Sequence, residues 1–126
     1  MDPDKLELDV IPLQWHCVEQ HSTEKCSKEC LLQSVLEMFS KKHTLTIIRL
    51  LLTNERLRFN ELEKEIGGSP KTLSQRLKEL EKKQLIHRQV FNEIPVRVEY
   101  SLTKAGQDLE AVFATISHWV SLWLVQ

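Results

Sequence analysis

The segment Ser69-Pro70-Lys71-Thr72-Leu73-Ser74-Gln75-Arg76-Leu77-Lys78-Glu79-Leu80 carries most of the chemistry legible in this chain. Leu73, Leu77 and Leu80 recur at i, i+4 and i+7, the spacing of one buried helical face. The opposite face then presents Lys71, Thr72, Gln75, Lys78 and Glu79, with Arg76 on its flank. These side chains suit the edges of base pairs. Gln pairs bidentately with adenine and Arg with guanine, while Thr donates, accepts or touches a thymine methyl. Ser69 and the free N–H groups of the first turn suit a phosphate, and the helix dipole adds to the attraction. Lys82, Lys83, Arg88 and Arg97 can neutralise flanking phosphates. The plain alternative is a face that is polar because it meets water, and it weighs most for Lys78, Glu79 and Lys82.

Elements that would position this face can be read on either side of it. Ser69 is an expected N-cap with Pro70 at the first helical position. Upstream, Asn60 and Glu63 have the spacing of a capping box, and the short helix they would start turns Leu62 and Ile66 inward and stops at Gly67-Gly68. Two short helices joined by a tight glycine turn make a helix-turn-helix, whose second helix enters the major groove. Before it, Leu45, Ile47, Ile48, Leu50, Leu51 and Leu52 nearly surround a helix running from about His43 to Leu52, the expected central helix. Earlier still, a helix from Ser27 (N-cap) to about Ser40 carries Leu31, Leu32, Val35, Leu36 and Phe39 on one face. Beyond Lys83 the period changes to two: Ile86 to Phe91 and Val96 to Leu102 alternate around a turn at Asn92-Glu93-Ile94-Pro95, giving a two-stranded hairpin. Thr103 is expected to cap a last long helix. On it Leu109, Val112, Phe113, Ile116, Trp119, Val120 and Trp123 fall within an arc of roughly 140°. The fold class is therefore mainly α with a small β-hairpin: a winged helix-turn-helix.

Composition bounds these readings. At 126 residues the chain fits one domain, large enough to need neither disulfides nor a structural metal. Only three Gly and four Pro argue against a turn-rich β-sandwich. Net charge is −1, but it is unevenly spread: −5 over residues 1–40, +6 over 41–104 and −2 over 105–126. A basic middle between acidic ends suits a polyanion partner. Residues 1–26 lack a sustained period and are expected to form an acidic arm, with 27–126 as the winged helix domain. No apolar run reaches the ~18 residues of a membrane span, and Asp2, Asp4, Glu7 and Asp9 exclude a basic leader. A cytoplasmic protein with its three cysteines as thiols is expected. No Gly-rich phosphate loop, Ser/His/Asp order or close acid pair stands out, so an enzyme is not expected, and neither is a cofactor.

From Cys30 to Trp119 the chain resembles the HxlR-type winged helix regulators of bacteria and archaea. The resemblance is carried by Arg58-Phe59-Asn60-Glu61-Leu62, by Ser69 to Leu80, and by Pro95-Val96-Arg97-Val98-Glu99-Tyr100-Ser101-Leu102-Thr103 with Gly106 after it. It departs at Lys41-Lys42-His43, where the family commonly has Gly-Gly-Lys-Trp. The resemblance implies a homodimeric, DNA-binding transcription regulator whose first and last helices form the dimer interface, with Leu31 and Val35 joining the stripe of the last helix. That stripe is also more apolar surface than a small winged core covers, which favours a dimer over packing on the first helix. Two-fold symmetry would then place paired recognition helices about 34 Å apart on an inverted repeat of double-stranded DNA.

Many members of the family carry an oxidant- or electrophile-sensing cysteine at the start of the first helix, and Cys30 falls on that position. The helix dipole and Lys28 favour its thiolate, while Glu29 opposes it. A small buried thiol is the structural alternative. A metal-responsive alternative also stands: Cys17, His21, Cys26 and Cys30 are zinc ligand types at compatible spacing, although no recognised metal pattern assigns them. A further alternative keeps the dimer but not operator specificity, leaving an interaction protein.

Overall fold

The computed structural model describes residues 28–125, with side chains from Leu31 onward. The chain divides into two units at Lys41/Lys42. In the first, α1 (Lys28–Ser40) is a single helix, tightened by a Gln33 to Glu37 side-chain hydrogen bond of 3.2 Å and closed by Ser40 Oγ donating to the Glu37 carbonyl at 2.6 Å.

The second unit holds the remaining elements in the order α2 (Thr44–Thr53), β1 (Leu57–Arg58), α3 (Phe59–Ile66), α4 (Pro70–Lys82), β2 (Ile86–Phe91), β3 (Arg97–Leu102), α5 (Lys104–Gln107) and α6 (Leu109–Trp123). Its core forms around α2, whose Thr44, Ile47, Ile48 and Leu51 are all buried. Leu62 of α3 and Leu73, Leu77 and Leu80 of α4 join it, as do Ile86, Tyr100 and Leu102 of the sheet. At about 2–5 kcal/mol for each large-to-alanine truncation, these aliphatic side chains hold the unit together.

Three local outcomes differ from the sequence expectation. The hairpin is part of a three-stranded antiparallel sheet, because β1 pairs with β3, Leu57 opposite Tyr100 and Arg58 opposite Glu99. That pairing holds Arg58 extended, so α3 starts at Phe59. The carboxylate of Glu61, not Glu63, then reaches back to accept from the Arg58 N–H at 3.1 Å. The expected Asn60–Glu63 box is therefore displaced by two residues. The last long helix is also broken. Thr103 caps only the four-residue α5, its Oγ1 accepting from the Gly106 N–H at 3.1 Å, and α6 restarts after Asp108.

The α4 to β2 corner closes without the glycine that usually serves there. Gln84 takes φ 60, the Gln84 N–H bonds Glu81 and the Leu85 N–H bonds Leu80, which is a Schellman motif with glutamine in the left-handed position. No helix among the described residues is long and apolar enough to cross a membrane.

Candidate nucleic-acid interface

Recognition-type geometry starts at the turn between α3 and α4. Gly67 and Gly68 take φ 71 and φ 80, a positive-φ backbone that glycine enters freely and side-chain-bearing residues rarely adopt. A methyl group on Gly68 would also sit 3.3 Å from Nε2 of His43. Ser69 then caps α4, its Oγ accepting from the Lys71 N–H at 3.2 Å, with Pro70 as the first helical residue. These devices fix where the helix begins. The three buried leucines fix which way it faces. Directly opposite them, Lys71, Gln75, Lys78 and Lys82 form one exposed stripe, with Thr72 half-buried at its edge and Ser69 exposed at its head. Such a stripe can place an amide at base edges and three ammonium groups at phosphates.

Beside it stands the wing, strands β2 and β3 paired from Ile86–Leu102 to Phe91–Arg97. One face carries Ile86, Tyr100 and Leu102 into the core. The other brings Gln89, Phe91, Arg97 and Glu99 together. Arg97 lies 4.1 Å over the Phe91 ring and reaches Glu93 at 3.2 Å and Glu99 at 3.8 Å. The guanidinium is therefore occupied in bracing the hairpin, whereas the expectation placed it on a phosphate. Arg88 remains exposed on the same strand pair. Arg58 and Asn60, with Arg97, line an open groove of about 450 Å³ between the start of α3 and the wing. Motif spacing alone does not single out Arg58 or Asn60 as groove-lining; the signal for Arg58 is a basic residue immediately before the first motif helix.

A recognition helix, a braced wing and a short third strand together describe a winged helix-turn-helix, and residues 38–126 match the HxlR-like helix-turn-helix family. The chain belongs to this family. It is similar to the transcriptional regulator YodB of Bacillus subtilis, 38% identical over 89 residues that cover 70% of this chain and 79% of YodB. The structure of reduced YodB superposes with a TM-score of 0.67 at 36% identity, covering 79% of this chain and 95% of that one. Quinone-bound YodB gives 0.65 at 33% identity, over 74% and 97% of the two chains. The redox regulator HypR in its oxidised form gives 0.63 at 28% identity, over 73% and 95%.

Within this HxlR-like regulator, one expected base-reading residue is placed differently. Arg76 turns inward: Nε donates to the Lys42 carbonyl at 3.2 Å, one guanidinium nitrogen pairs with Glu79 at 2.8 Å, and the side chain is only 16% exposed. The apolar stripe of α6 is where the sequence put it, and it is largely uncovered. Val112, Ile116, Trp119 and Trp123 are exposed, Leu109, Phe113 and Val120 half-buried, and no residue of α6 is fully buried. On α1, Leu31 is exposed and Val35 half-buried. Cys30 lies in the first turn of α1, but its side chain, like Cys17, His21 and Cys26, lies outside the described residues. Among the described residues no cluster of three or more His, Cys, Asp or Glu is placed to hold a metal ion.

Proposed function

We propose that this chain is a homodimeric transcription regulator that reads an inverted-repeat operator through α4, from residues Ser69, Lys71, Thr72 and Gln75, with Lys78, Lys82 and Arg88 on phosphates. The observation that carries the reading is the exposed stripe of Lys71, Gln75, Lys78 and Lys82, set back to back with three buried leucines in an HxlR-like fold. These three phosphate contacts per protomer, about six in the dimer, predict a steep salt dependence. In a fluorescence anisotropy titration, log Kd should rise linearly with log salt. Lys78→Ala with Lys82→Ala should reduce the slope by roughly two per protomer. A slope unchanged by both substitutions would take these lysines off the phosphates.

The input signal is a thiol. Cys30 supports this by its place in the first turn of α1, where the dipole favours thiolate. A quinone-bound state of YodB and an oxidised state of HypR are known among the structurally similar regulators. Operator affinity measured before and after quinone or diamide should change for the wild type and stay constant for Cys30→Ser. Equal responses of the two proteins would end the proposal.

A further inference from the structure

A recognition helix delivers its side chains to bases only if its rotation about its own axis is held. Leucines on one side hold it against the core, and a further tie on its flank is what sets the rotation. Arg76 stands on that flank, about 60° around the helix from Leu73 and well away from the stripe of Lys71 and Gln75. It is nearly covered, and both of its partners belong to the protein: the Lys42 carbonyl at 3.2 Å and the Glu79 carboxylate at 2.8 Å.

Lys42 and His43 form the corner that leads into α2. His43 takes φ 73 there, and its ring stands against Gly68, where an added methyl would lie 3.3 Å from Nε2. The corner thus meets the helix-turn-helix twice, at the turn through His43 and halfway along α4 through Arg76.

We infer that Arg76 is a positioning residue. It ties α4 to the Lys42–His43 corner, so setting the rotation at which Lys71 and Gln75 face DNA, and it does not touch a base. Reaching a base would cost it a hydrogen bond to a carbonyl and a charge-assisted bond to Glu79. It would also leave a part-buried carboxylate on the DNA-facing helix without this cation, close to the phosphates. The inference rests on the proposal that α4 reads DNA.

The test uses the full-length protein and the duplex that the wild type selects from a random pool. Competition binding against every single-base variant of that duplex compares wild type, Gln75→Ala, Arg76→Ala and Arg76→Lys, with thermal melting in parallel. Gln75→Ala should flatten preference at one position of each half-site. Arg76→Ala should lower the ratio of specific to non-specific affinity by about tenfold, with every contacted position weakening together and non-specific affinity retained. Arg76→Lys, which keeps the charge but lacks the guanidinium fork that spans both partners, should recover part of the ratio. If Arg76→Ala fails to fold, Arg76→Lys and Glu79→Gln carry the same comparison, each expected to fall between wild type and full loss. Loss confined to one position would make Arg76 a base reader and overturn the inference. A lower melting temperature with an unchanged specificity ratio would make it merely structural, with the same result. A wild type that prefers no sequence would instead remove the DNA reading beneath it.

Discussion

Gly106 is the residue whose side chain would be least tolerated. A methyl group there would lie 2.3 Å from the Leu85 carbonyl oxygen and 2.9 Å from a Leu102 methyl. Thr103 explains the closeness: its N–H bonds the Leu85 carbonyl at 3.0 Å and its Oγ1 bonds the Gln84 carbonyl at 2.8 Å, drawing α5 onto the α4–β2 corner. Gly106→Ala should therefore destabilise by about 2 kcal/mol or more despite better helix propensity. A thermal melt reads this directly, and an unchanged melting temperature would refute the close approach. Residue-scale legibility was uneven for a physical reason. Ser69, Pro70 and the leucines announce themselves because capping and helical period are local. Arg76 and Gly106 do not, because the groups they meet, the Lys42 carbonyl and the Leu85 carbonyl, lie 34 and 21 positions away in the chain.

Elements are legible where a period is long and less so where strands pair at a distance. The spacing over 70–82 and the alternation over 86–102 predicted α4, β2 and β3 nearly to the residue. The two-residue β1 carries no period of its own; it exists through Tyr100 and Glu99, and by existing it moves the start of α3. Helix α6 is the element whose surroundings matter most to function. Its fifteen residues include none that is buried, and Ile116, Trp119 and Trp123 are 51%, 53% and 69% exposed. An apolar face of this kind is matched by a second copy of itself in the proposed dimer, where a two-fold axis pairs the same patch on both chains. Ile116→Glu, at an exposed position, should shift sedimentation toward monomer while the far-UV circular dichroism stays that of the folded protomer, and its melting temperature should lose the concentration dependence that dimerisation gives the wild type. A wild type that sediments as a monomer, or a variant that stays dimeric, would contradict the assignment of α6.

At the scale of the whole chain, charge and fold agree. The +6 segment from 41 to 104 contains the helix-turn-helix and the wing, while the −5 and −2 segments lie outside both. Long-range attraction to a duplex then acts on the part of the molecule built to read it. The family membership makes the chain a helix-turn-helix transcriptional regulator, and the exposed stripe of α4 is the feature through which it would recognise its target. Selecting bound sequences from random duplexes tests this most directly. The predicted result is enrichment of an inverted repeat whose half-sites lie about one helical turn apart, near 34 Å. A pool that shows no enrichment, or that converges on a single unrepeated element, would contradict it.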